Sequence, residues 1–163
     1  MRHIVAACSL LLIALAPLSA SAEDADQETY GRSAAVGVNF PGVNFKLPLS
    51  SKFAAELRGQ YEYKILTTTA RLYYYPSIPG FGNPKLRPFI SAEGGYVSFQ
   101  GNYSQGNGAI FGGAGGVEYF LSKRFSVQTD FGPYYVMVND RNTAIEQTGL
   151  EFVMNFGINF YFK

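Results

Sequence analysis

The chain has 163 residues, with 13 Lys and Arg against 12 Asp and Glu, one His and one Cys, for a formal net charge of +1. So small a basic excess excludes nucleic acid as a partner. The lone Cys8 and lone His3 exclude an intramolecular disulfide and a metal site built on imidazoles, and no cofactor motif is present.

The first 22 residues read as a secretory signal peptide. Arg2 and His3 make a basic start, Ile4 to Leu18 is mostly apolar, and Ala20-Ser21-Ala22 gives a small-x-small cleavage site. Cleavage is expected after Ala22. Val5-Ala6-Ala7-Cys8 superficially resembles a lipidation site, but the apolar run follows Cys8 where a lipoprotein needs it before. Removing 22 of the 163 residues leaves 141, enough for one domain, with 12 cations against 12 acids and neither His nor Cys. No later segment is apolar for the ~18 residues that a spanning helix needs. Residues 23–32 are expected to form a polar periplasmic leader, its Glu23–Gly31 part flexible, and residues 33–163 the folded domain.

From Ser33 onward the residues alternate with a period of two, the mark of strands with one apolar and one polar face. Val36, Val38 and Phe40 share a face; after Pro41-Gly42 the phase shifts to Val43, Phe45 and Leu47. That interruption is either a tight turn between short strands or a bulge in a long one. Phe53–Ile65 is the clearest strand, with Leu57, Tyr61 and Ile65 on one side and Glu56, Arg58, Gln60, Glu62 and Lys64 on the other. An unbroken polar face of this kind points to a hydrated interior. Thr68–Tyr75 follows, with Arg71 opposite Leu72, after a tight Lys64–Thr67 connection; Pro76–Pro88 is a turn region rich in Pro and Gly.

Phe89–Gln100 places Ile90, Ala92, Gly94 and Tyr96 outward and Ser91 and Glu93 inward, with Val97 and Phe99 breaking the phase. Gly101–Gly108 is a polar loop. Ala109–Leu121 opposes Phe111, Val117 and Tyr119 to Glu118, and Ser122-Lys123-Arg124 makes a turn. Phe125–Val138 opposes Val127 and Phe131 to Gln128 and Asp130. Asn139–Gly149 is polar, and Leu150–Phe162 closes the chain with Phe152, Met154, Phe156, Ile158, Phe160 and Phe162 on one face and Glu151 on the other. Short turns alternate with longer loops, except at Lys64–Thr67 and Pro76–Pro88. The pattern predicts an all-β fold: an antiparallel up-and-down transmembrane β-barrel of seven or, since closure wants an even number, eight strands, both termini on the periplasmic side.

These residues resemble the small eight-stranded outer-membrane barrels of the OmpA, OmpW and OmpX type. The resemblance rests on the Leu49-Ser50-Ser51-Lys52-Phe53 and Phe120-Leu121-Ser122-Lys123-Arg124-Phe125 turns and on Asn83–Phe89 leading into Gly94-Gly95-Tyr96. Asn155, Gly157, Ile158, Phe160 and Phe162 look like the terminal signal read by the outer-membrane assembly machinery, although Lys163 follows the aromatic that usually ends it. The resemblance implies residence in the bacterial outer membrane, with lipid, lipopolysaccharide, periplasmic chaperones and the assembly machinery as partners, and a monomer.

Enzymes of similar barrels depend on His, the side chain that titrates near neutral pH, and none remains after cleavage. A carboxylate pair drawn from Glu56, Glu62, Glu93, Glu118, Asp130 and Glu151 is the remaining catalytic option. The competing reading makes those acids a lumen charge network with Arg58, Lys64, Arg71 and Lys46, because charges in a narrow barrel must be paired or hydrated. No enzymatic activity is expected. A structural or surface-interaction role leads; a narrow channel for ions or small solutes is the alternative, since inward Gly95, Gly112, Ala114, Gly116 and Gly132 leave space. A soluble periplasmic lipid-binding barrel, apolar face inward, ranks below both. Tyr61, Tyr63, Tyr73–Tyr75, Tyr119, Tyr134, Tyr135 and Phe160–Phe162 are expected in interfacial girdles, with a ligand-stacking platform as the rival reading. Asn102-Tyr103-Ser104 matches a glycosylation acceptor of eukaryotic secretion and is set aside.

Overall fold

The computed structural model describes residues 30–40, 42–78, 83–101, 105–140 and 145–162. The expected signal peptide, leader residues 23–29, Asn102-Tyr103-Ser104 and Lys163 lie outside these residues. Eight strands run in chain order: β1 Ala35–Asn39, β2 Gly42–Pro48, β3 Phe53–Glu62, β4 Ile65–Tyr74, β5 Leu86–Gln100, β6 Gln105–Phe120, β7 Phe125–Asp140 and β8 Ile145–Tyr161. Each pairs antiparallel with the next, and β8 pairs with β1, so the sheet is a closed barrel.

The eight-strand count follows from a tight connection between Asn39 and Gly42. Asn39 is opposite Gly42, so β1 and β2 are a hairpin and not one bulged strand. The β3–β4 connection is also tighter than the alternation predicts. Tyr63 and Lys64 form a two-residue turn with φ of 47° and 69°, the left-handed geometry that matches strand twist in hairpins, and the strand resumes at Ile65. The polar stretches 101–108 and 139–149 are mostly strand among their described residues: β6 starts at Gln105, β7 runs to Asp140 and β8 starts at Ile145. Polar residues there continue the ladder beyond the apolar belt, which is why composition alone reads them as loop. The longest connection, 75–85, lies instead at the end that carries the termini.

Following paired residues once round the barrel gives Gly157, Asn39, Gly42, Gln60, Thr67, Val97, Gly108, Val138 and finally Gln147. The path re-enters β8 ten residues away, from 157 to 147. Such a stagger sets the strand tilt at about 40° and fixes a narrow barrel, about 16 Å across between backbones. The rim is consequently uneven. Strands lengthen from 5 residues in β1 to 17 in β8, and β8 above Phe156 is paired with β7 alone among the described residues.

Polarity is inverted relative to a soluble protein. Leu57, Leu72, Ile90, Phe111, Phe131, Phe152 and Ile158 face outward and are exposed, while Lys46, Glu56, Arg58, Arg71, Glu118 and Asp130 are buried inside. The lipid-binding barrel with an apolar interior is therefore incorrect. On β7 the outward apolar run extends from Phe125 to Met137, about 30 Å along the axis at about 2.5 Å per tilted residue, the thickness of a hydrocarbon layer.

Candidate functional site: the barrel interior

Inward positions recur at every second residue, so each strand delivers a ladder of side chains to the axis. Odd residues of β4 and β5 point inward (Thr69, Arg71, Tyr73; Phe89, Glu93, Val97), as do even residues of β6 and β7 (Ala114, Glu118; Ser126, Gln128, Asp130, Tyr134). Val97 thus continues the inward phase of β5, an apolar residue at a polar position rather than a break in register.

Two linked clusters fill the interior. The first centres on Arg71. Its guanidinium donates to Glu93 Oε2 (Nε, 2.6 Å), Asp130 Oδ2 (Nη1, 2.7 Å) and the Tyr134 hydroxyl (Nη2, 2.6 Å). The Tyr134 hydroxyl donates on to Glu93 at 2.8 Å, and Asn155 Nδ2 donates to Asp130 at 2.7 Å. Thr69 caps the other Glu93 oxygen at 2.5 Å. Arg58 stands beside this group, paired with Glu56 and 3.8 Å from Glu93. Planar guanidinium forks suit this work, because each satisfies two carboxylates at fixed angles.

The second cluster centres on Glu118, fully buried. It accepts from Lys46 (3.0 Å), Tyr75 (2.9 Å), Ser126 (2.6 Å), Tyr161 (2.6 Å) and Asn159 (3.3 Å). Lys46 also donates to Gln128 and lies 4.3 Å from the centre of the Tyr73 ring. Tyr73 joins the clusters, its hydroxyl accepting from Arg58 Nη2 at 3.4 Å and Gln128 Nε2 at 3.2 Å. Asn44 makes a second link, donating to Glu56 and Asn159 at 2.9 Å. Every charged group here meets an opposite charge or several donors, the condition under which ions tolerate burial.

Below the clusters, toward the end with the termini, rings close the barrel. Tyr73, Tyr75, Phe89 and Ala54 form one buried group, and Tyr30, Phe120, Tyr161 and Ala35 another. Tyr30 belongs to the expected leader, yet its ring packs 5.3 Å from that of Phe120 and its carbonyl accepts from Arg87. The leader's last residues are thus fixed and not flexible.

The structure brings together Lys46, Glu56, Arg58, Arg71, Glu93, Glu118 and Asp130 of the expected network. It does not bring in Glu62, Lys64 or Glu151. Glu62 ends β3 at the rim, Lys64 sits in the adjoining turn, and Glu151 lies where β8 outruns β1; all three are exposed. A shared face does not imply a shared depth. Tyr73, Tyr75, Tyr134 and Tyr161, expected in girdles, are buried in the interior, where their hydroxyls extend the ion network. Phe53, Tyr74, Tyr119, Phe125, Phe160 and Phe162 stand outward toward one end, and Tyr61, Tyr63, Tyr96 and Tyr135 toward the other. Period-two phase against Glu118 or Arg71 separates the two sets.

At Gly112 and Gly116 the space that an inward glycine leaves is already occupied. A Cβ on Gly112 would meet the Tyr134 ring at 2.3 Å, and one on Gly116 would meet Phe89 Cζ at 2.7 Å. At these two positions the room that glycine leaves is filled by a neighbour's ring. Of the terminal residues, Asn155 and Gly157 point inward and are buried, while Ile158, Phe160 and Phe162 point outward.

The barrel fold has counterparts among solved structures. The crystal structure of the N-terminal β-barrel domain of Pseudomonas aeruginosa OprF superposes with a TM-score of 0.52 and 18% identity, over 80% of this chain and 94% of that one. The fold is that of the small outer-membrane β-barrels. The crystal structure of Neisserial surface protein A (NspA) matches with a TM-score of 0.43 and 16% identity, over 80% and 92% of the two chains. No family model matches the sequence, and no curated protein sequence matches it.

Proposed function

We propose that this chain is a non-enzymatic, non-conducting integral protein of the bacterial outer membrane, with a structural or surface-interaction role. The observation that carries the reading is the pairing of a lipid-thick apolar exterior with an interior bolted shut by Arg71, Glu93, Asp130 and Tyr134 above and by Lys46 and Glu118 below. Carboxylates held in this way are occupied as counterions and are not presented to a substrate. In this reading the signal peptide is removed after Ala22, the terminal pattern Asn155, Gly157, Ile158, Phe160 and Phe162 engages the assembly machinery, and the protein is a monomer among phospholipid and lipopolysaccharide.

Planar-bilayer recording and fractionation test the proposal together. The protein is expected in the outer-membrane fraction, with heat-modifiable migration on gels and no unitary conductance above background. Steady conductance from the unaltered protein would move the reading to the channel alternative. Recovery in the soluble periplasm would remove the membrane placement.

A further inference from the structure

The barrel end that carries the termini is one-sided in charge. Arg32, Lys52, Lys85, Arg87, Lys123 and Arg124 stand there, on the entering chain and the three turns, and no Asp or Glu lies at that end among the described residues. The ion pairs of Lys46, Arg58 and Arg71 with Glu56, Glu93, Glu118 and Asp130 lie inside the lumen. The side chains of Arg32, Lys52, Lys85 and Arg124 are exposed and meet no carboxylate among the described residues. Arg87 is half-buried and spends its donors on carbonyls, Tyr30 O at 3.0 Å and Ser51 O at 3.2 Å, with its guanidinium 4.0 Å over the Tyr75 ring. Beside it opens a cleft of about 340 Å³ lined by Lys52, Tyr75, Ser77 and Arg87.

The matching charge sits immediately upstream in the sequence. Glu23, Asp24, Asp26 and Glu28 place four acids just before Tyr30, with no base among residues 23–31. We propose that the acidic segment Glu23–Glu28 docks on this basic end, across the cleft bounded by Lys52 and Arg87. Three facts favour this occupant. Charge is complementary, acids against Arg32, Lys52, Lys85 and Arg124, which meet no carboxylate among the described residues. The point of departure is fixed, because Tyr30 is held among those cations by Phe120 and Arg87. The reach suffices: Asp24 is six residues from Tyr30, about 20 Å of extended chain, against a mouth about 16 Å across.

Single exposed ion pairs are weak, so docking rests on the number of charges and on the tether, which holds the acids at high effective concentration. A lipid phosphate is the competing anion, and it must find the cations from outside. This inference rests on the fold alone and does not depend on the membrane in which the protein resides.

A nitroxide at Ala25→Cys, on a Cys8→Ser background, tests it in the refolded full chain. Resonances of Lys52, Lys85, Arg87 and Arg124 are expected to broaden several-fold more than in a charge-neutral leader carrying E23Q, D24N, D26N and E28Q. The excess should vanish in 1 M salt, where the screening length falls to about 3 Å. Equal broadening with the charged and neutral leaders would mean tethering alone, and would overturn the proposal. In nanodiscs the excess should persist with both phosphatidylcholine and phosphatidylglycerol. Loss in phosphatidylglycerol only would assign the cations to lipid phosphate instead.

Discussion

Replacing Glu118 by Gln removes a charge from the most densely bonded group in the barrel while keeping its volume. Lys46 and Tyr75 address one carboxylate oxygen; Ser126, Tyr161 and Asn159 address the other. An amide has one oxygen and one NH2. Whichever way it turns, its NH2 faces one obligate donor, Lys46 Nζ or Asn159 Nδ2, and the hydroxyls beside that donor must turn from donating to accepting. Lys46, 2% exposed, loses its carboxylate and is left with neutral groups, among them Gln128 and the Tyr73 and Tyr75 rings, for a full positive charge. Breaking a buried pair from one side costs about 3–5 kcal/mol, a large part of the about 5–15 kcal/mol that holds a typical domain. The double variant K46Q/E118Q removes both charges, and its loss should fall short of the summed single losses by about 2 kcal/mol or more. Urea unfolding in lipid vesicles reads this as shifted midpoints at unchanged slope. A Glu118→Gln loss below about 1 kcal/mol, or strict additivity in the cycle, would refute the claim that Lys46 and Glu118 sustain each other.

Two further outcomes follow from the same geometry. Phe131→Arg sits midway up the outward apolar run of β7 and should cost about 2–4 kcal/mol in a bilayer, whereas Phe125→Arg at its edge should cost about 1 kcal/mol or less; equal costs would mean that the run does not face hydrocarbon. Gly112→Ala drives a methyl into the Tyr134 ring and should cost about 1–3 kcal/mol, while Gly115→Ala, with open space around its Cβ, should be neutral or slightly stabilising. Thermal gel-shift midpoints of the two alanine variants check this, and matching values would show that ring-over-glycine packing does not close the lumen.

The alternation at Phe53–Glu62 and at Phe152–Phe162 disclosed strands, faces and the inversion of polarity, because period-two phase is a local property that needs no partner to be seen. The same phase, measured from Glu118 and Arg71, contains the positions of Tyr73, Tyr134 and Tyr161. Their aromatic character drew the assignment to the membrane interface instead. Glu62 and Lys64 share the face of Arg58 and still lie outside the network, because a strand's phase does not encode where along the axis its neighbours stop.

By itself, the sequence determined the all-β class, the outward apolar set and the acids and bases available to the interior, since these depend on composition and on side chains alternating along one strand. Only the tertiary structure decided the ten-residue stagger between β8 and β1 and the closing of lumen space by rings over Gly112 and Gly116. It also decided which charges meet. Arg71 and Asp130 are fifty-nine residues apart in the chain and 2.7 Å apart in the barrel. That contact follows from how the sheet closes, a long-range register that no single strand carries.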